Sequence, residues 1–189
     1  MQLFPPDRVL LHKQRRNNTL TRTVSQAPTP AEFEAFVREH RPILLRICRL
    51  YARSSAEFDD LYQEILIHLW RGLRQFEGRS QSTSWVYRIG LNTCISCYRR
   101  ERRHRDTVPL AALRGLPDES ERSDERTAQL RLLYRLIDRL DPIEKAIILL
   151  WLDEVPYDEI AAITGLGRNT VASKLRRIRL KLQEQAKNQ

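Results

Sequence analysis

No stretch of this chain approaches the roughly 20 consecutive apolar residues that a bilayer-spanning helix needs. The first residues lack the charged, apolar and small-residue regions of a secretory signal, so a soluble cytoplasmic protein without membrane insertion is expected. Cysteine is scarce, at three in 189 residues. That odd number, in a chain read as having no export signal, argues against a disulfide framework. Glycine is also thin, at six, and no run of it forms a phosphate-cradling loop. No nucleophile stands at a recognisable spacing from a base, and the carboxylates fall at helix starts or on polar faces, so neither an enzyme nor a cofactor is expected. Cys94 and Cys97 form a CISC pair with His104 close behind. A zinc site wants four converging ligands, whereas these thiols share the apolar side of a helical pattern, where cysteine acts as a small buried hydrophobe. His12, His40 and His68 have no ligand company, and no metal site is expected.

What the chain has in plenty is positive charge. Lys and Arg number 33 against 24 Asp and Glu, a formal net charge of +9, which points to a polyanionic partner, nucleic acid ahead of an acidic membrane surface. With 41% hydrophobic residues, the chain suffices for one medium domain or two small ones. Residues 1–30 mix basic and polar residues with Pro5, Pro6, Pro28 and Pro30 and read as a flexible basic extension. Over 31–105 apolar residues recur at helical spacing, as in Phe33, Phe36, Val37, Ile43, Leu44 and Ile47, and strand-like alternation is absent. Residues 106–126 hold two prolines, one glycine and the acidic cluster Asp118, Glu119, Glu121, Asp124 and Glu125, the composition of a linker, with a short helical piece around Leu110 to Leu113. Helical spacing resumes over 127–189. There Asp141 caps a helix opened by Pro142, with Glu144 at the capping-box position, and Pro156 opens another. The fold class expected is all-α, two small helical domains joined by a flexible linker.

The C-terminal stretch GLGRNTVASKLRRIRLKL carries Arg168, Lys174, Arg176, Arg177, Arg179 and Lys181 without one acid. On a wheel of about 100° per residue, Val171, Leu175, Ile178 and Leu182 fall within about 40° of one another and face a core. Asn169, Ser173, Arg176 and Arg177 lie opposite, where Arg suits guanine and Asn suits adenine. Arg168, Lys174, Arg179 and Lys181 lie on the flanks and suit phosphates. The preceding EIAAITGLG, with Ala161 at a close helix approach and Gly165 in the turn, completes the layout of a helix-turn-helix.

In the N-terminal half, FDDLYQEILIHLWRGL buries Leu61, Ile65 and Leu69 and leaves Asp60, Gln63, Glu64 and Arg71 on the other side, with Ile67 in their midst. An apolar residue ringed by polar ones suits docking, and it is also ordinary on a surface. The next pattern places Trp85, Arg88, Asn92, Ser96, Arg99 and Arg100 within about 60° of one face. Aromatic rings among cations suit unpaired bases, and Trp85 also suits packing against a neighbouring helix.

DDLYQEILIHLW with TSWVYRIGLNTCISCYRRERR resembles region 2 of the extracytoplasmic-function (ECF) sigma factors of bacterial RNA polymerase, and LDPIEKAIILLWLDEVPYDEIAAITGLGRNTVASKLRRIRLKL resembles their region 4. The resemblance implies a region 2 bundle over 31–105 and a region 4 helix-turn-helix over 127–189. It implies core polymerase docking through Asp60, Gln63 and Glu64 and favours docking for Ile67. It further implies minus-ten recognition and melting by Ser80 to Ser84, Trp85, Arg88, Asn92 and the following Arg99, and minus-thirty-five reading by the last helix. The implied partners are core RNA polymerase, promoter DNA and an anti-sigma factor. Gly167 stands where such proteins often carry a capping serine, and the extension over 1–30 exceeds their minimal pattern. The competing reading is a stand-alone helix-turn-helix regulator, which gives no reason for Trp85, Arg88, Asn92 and the arginine run to share one helix.

Overall fold

The computed structural model describes residues 28–76, 80–105 and 125–187. The extension expected over 1–30, the linker over 106–126 and its helical piece at Leu110 to Leu113 lie outside the described residues except at their margins. Among the described residues there are seven helices and no strand: α1 (Pro30–Tyr51), α2 (Ser55–Leu73), α3 (Ser82–Arg105), α4 (Glu125–Asp138), α5 (Pro142–Leu152), α6 (Tyr157–Thr164) and α7 (Arg168–Lys187).

Local chemistry sets three of these starts. At α1 the Thr29 hydroxyl accepts from the Glu32 amide while the Glu32 carboxylate accepts from the Thr29 amide at 2.7 Å, a closed capping box with Pro30 as first helical residue. At α5 Asp141 accepts from the amides of Ile143 and Glu144, both at 2.9 Å, and Glu144 returns the bond at 3.3 Å, as the spacing predicts. Ser54 caps α2. Arg53 just before it pairs with Glu57 at 2.7 Å and also reaches Glu101, tying the first turn of α2 to α3.

The chain divides into two compact units, one built on α1, α2 and α3, the other on the end of α4 with α5, α6 and α7. In the first, Phe36, Leu44, Ile47, Ile65, Leu69, Val86, Tyr87 and Leu91 are buried. Each large apolar side chain so buried stabilises the fold by about 1.5–3 kcal/mol. Gly90 allows α1 and α3 to approach: a Cβ there would lie 2.8 Å from Ile47 Cδ1. In the second unit Leu136, Ile147, Ile148, Leu150, Ile160, Ile163, Val171, Leu175, Ile178 and Leu182 form the core. Lys145, buried against it, donates to Asp138 at 2.6 Å and so holds the end of α4 on α5.

Candidate nucleic-acid and polymerase interfaces

In α2 the buried row Leu61, Ile65 and Leu69 turns the opposite side outward. Asp60 and Gln63 are exposed, Glu64 is half-buried, and Ile67 is 43% exposed despite its size. Such a residue among carboxylate and amide groups offers apolar contact and hydrogen bonding on one face.

In α3 the alternation is equally clean. Val86, Tyr87, Leu91 and Cys94 are buried, whereas Arg88, Asn92, Ser96 and Arg99 are exposed along one stripe. Between this stripe and α2 runs a groove of about 420 Å³ lined by Glu64 and His68 from α2 and by Ile89, Asn92, Cys97 and Arg100, among others, from α3. The groove therefore brings Glu64, predicted for polymerase docking, onto the same surface as Asn92, predicted for DNA. Its polar wall is organised: His68 lies 3.6 Å from Glu64, and Arg100 lies 3.7 Å from the Cys97 sulfur.

Burial pushes the Cys97 thiol above its ordinary range, against the opposing pull of Arg100. It lifts Cys94 further and drives Cys48 up to about 12.

Trp85 is half-buried. The wheel sets it beside Arg88, but its ring packs edge-on to Phe36 at 5.9 Å and against Phe76 at 5.0 Å. Gly72 makes room for it, since a Cβ there would lie 2.9 Å from Trp85 Cζ2. The ring joins the lobe's aromatic cluster, because a side chain of that size gains more from apolar neighbours than a position on a wheel can show. Ser82 and Ser84 likewise turn inward: Ser82 meets His40 at 3.1 Å and Ser84 is buried.

In the second unit, α6 ends at Gly165 with φ +72°, a left-handed conformation, and α7 starts two residues beyond Leu166. This is the tight turn of a helix-turn-helix. Gly167 takes the position before α7, its carbonyl accepting from the Val171 amide at 3.0 Å. Val171, Leu175, Ile178 and Leu182 are buried, and Asn169, Ser173, Arg176 and Arg177 are exposed, as the periodicity predicts. Leu180, 50% exposed, lies in the same outward face, an apolar residue that base-edge hydrogen bonding does not single out.

The flanking cations divide. Lys174 is half-buried, and Arg168 pairs with Asp158 at 2.9 Å while both stay largely exposed. Arg179 instead lies over the Trp151 ring at 5.3 Å, and Lys181 donates to Glu144 at 3.1 Å. These two expected phosphate ligands brace α7 against α5, because long cationic side chains lie along the apolar surface that flanks a core stripe.

The sequence matches the Sigma-70 region 2 family over residues 36–104 and the Sigma-70 region 4 family over residues 130–182. It is 30% identical over 152 residues to the ECF RNA polymerase sigma factor SigM of Mycobacterium tuberculosis, covering 79% of this chain and 74% of that one. It is 32% identical over 130 residues to the RNA polymerase sigma factor YlaC of Bacillus subtilis, covering 66% and 75%. The fold superposes with a TM-score of 0.63 on the sigma factor RpoE solved in complex with the anti-sigma factor NepR from Bartonella quintana, at 26% identity over 82% of this chain and 97% of the other. The match in both units, in order along one chain, means that this protein belongs to the ECF sigma factors, the subunits that direct bacterial RNA polymerase to its promoters.

Proposed function

We propose that the two units divide promoter recognition. The unit over 31–105 binds core polymerase through Asp60, Gln63, Glu64 and Ile67 and opens the minus-ten element with Arg88, Asn92 and Arg99. The unit over 127–189 reads the minus-thirty-five element as duplex with Asn169, Ser173, Arg176 and Arg177, while Arg168 and Lys174 hold phosphates. The chain does no chemistry of its own; synthesis stays with the core enzyme, beside which it works in the cytoplasm. An anti-sigma factor, the partner in the similar solved complex, belongs among its regulators.

One observation carries the reading: the groove beside the Arg88, Asn92 and Ser96 stripe. A flat heterocycle needs an apolar floor and a hydrogen-bonding wall, and the groove has Ile89 for the first and Asn92 with Arg100 for the second. Backbone phosphates of the unpaired strand suit the arginines along the stripe.

The test is run-off transcription by reconstituted holoenzyme on a matched promoter and on one whose minus-ten region is mismatched beforehand. Asn92→Ala should fail on the matched template and recover on the open one, because the mismatch removes part of the unpairing cost. Arg176→Ala should be impaired on both. Trp85→Ala, which empties the aromatic cluster, should lose activity on both alike. An Asn92 defect equal on the two templates would end the assignment of the groove to strand opening.

A further inference from the structure

His40, on α1, is only 3% exposed, and both ring nitrogens are engaged. Nδ1 lies 2.9 Å from the Phe36 carbonyl, which can only accept, so Nδ1 carries hydrogen. Nε2 lies 3.1 Å from the Ser82 hydroxyl, which can donate to it. Ser82 is the first residue of α3 and stands 42 positions away in sequence. The Phe36 ring stacks on the imidazole at 4.3 Å, Trp85 meets Phe36, and Phe76, just past α2, meets Trp85. One directional hydrogen bond and a column of four rings thus join α1 to the first turn of α3 and to the end of α2.

Stability alone does not explain a histidine there. Burying two polar nitrogens is costly, and replacing such a pair with apolar groups of similar shape is often neutral or favourable. What apolar packing does not supply is direction. Core side chains such as Ile47 and Ile65 tolerate small rotations of a helix, whereas a bond from Nε2 to one hydroxyl fixes the rotation and depth of its first turn. Arg88 and Asn92 follow on the same helix, and Asn92 forms a wall of the groove.

Resting on the reading of that groove as the strand-opening surface, we propose that His40 is a positioning residue for promoter opening: through Ser82 it sets how α3 presents Arg88 and Asn92 to the unpaired strand. It touches no DNA itself.

The experiment compares full-length wild type, His40→Phe, Ser82→Ala, the double variant and Asn92→Ala as holoenzymes on matched and pre-opened promoters. The double variant should melt within about 4 °C of wild type, since both partners of the bond go together. Its matched-template run-off should nevertheless fall about two- to tenfold, the weight of one intramolecular hydrogen bond, and its pre-opened run-off should fall by less than about twofold. Each single variant should show at least the same template-dependent loss, and the double should not exceed the worse single. Equal losses on both templates, no loss on either, or a double variant that loses its fold would overturn the proposal. Asn92→Ala tells two failures apart. If it is template-dependent while the His40 and Ser82 variants are not, this inference alone falls; if it too is indifferent to the template, the reading of the groove falls and takes this inference with it.

Discussion

Two residues with positive φ show how differently the chain treats the same conformation. Glu154, at φ 58°, follows α5, where its amide donates to the Trp151 carbonyl and the Val155 amide reaches back to the Leu150 carbonyl, both at 3.0 Å. This is the pair of bonds that ends a helix in a left-handed residue, a position glycine fills without a Cβ penalty. Gly165 fills the equivalent place after α6 at φ 72°, where a Cβ would meet nothing within 4 Å. Its requirement is thus conformational, not steric. Glu154→Gly should raise stability by roughly 0.5–1 kcal/mol, and Gly165→Ala should lower it by about 1–2 kcal/mol. Urea denaturation of the two variants against wild type measures both, and a destabilised Glu154→Gly would contradict the account of α5's end.

At the scale of an element, α7 and α2 each pose one question about orientation. For α7 the expectation is that Arg176→Ala or Asn169→Ala costs about 1–3 kcal/mol on the preferred upstream sequence and relaxes preference at one position. Lys174→Ala should weaken all sequences alike and reduce the salt slope by about one. Lys181, tied to Glu144, is the wrong residue for that comparison, since its loss frees a capping-box carboxylate instead of a phosphate contact. Binding curves over a salt series on specific and scrambled duplexes separate these outcomes, and equal insensitivity to sequence in all variants would reverse the helix's assignment. For α2, Ile67→Asp should weaken capture by core polymerase with helicity unchanged, because the residue is 43% exposed and lies outside the buried row Leu61, Ile65 and Leu69. Undiminished capture would place the docking face elsewhere.

The same elements show why some of this was legible in sequence. Capping boxes and core stripes involve residues three or four apart, so Asp141 with Glu144 and Val171 with Leu175 and Ile178 could be read directly. The wheel gives a side chain's direction of departure, not its end point, and it therefore places Trp85, Arg179 and Lys181 on their helices without naming Phe36 and Phe76, Trp151 or Glu144 as their neighbours. The bond from His40 to Ser82 spans 42 positions, and Gly90 matters only because Ile47 sits across from it. Neither leaves a periodic trace.

At the scale of the whole molecule, the question is whether two units with separate cores act separately on one promoter. Asn92 is exposed on the unit of α1 to α3 and Arg176 on the unit of α5 to α7, so truncating either leaves the other unit's core untouched. Truncations that share no partner add in free energy within about 0.3–0.5 kcal/mol, which is about a factor of two in rate. The double variant Asn92→Ala with Arg176→Ala should therefore lose run-off on a matched promoter by the product of the single losses. On a pre-opened promoter the Asn92 factor should contract and the double should approach Arg176→Ala alone. A double variant that departs from the product by much more than twofold on the matched template would mean that upstream reading and strand opening are coupled, as they are when the bound duplex must be held before the groove can capture a base. Product behaviour would mean that each unit contributes its own step, with the polymerase as their common frame.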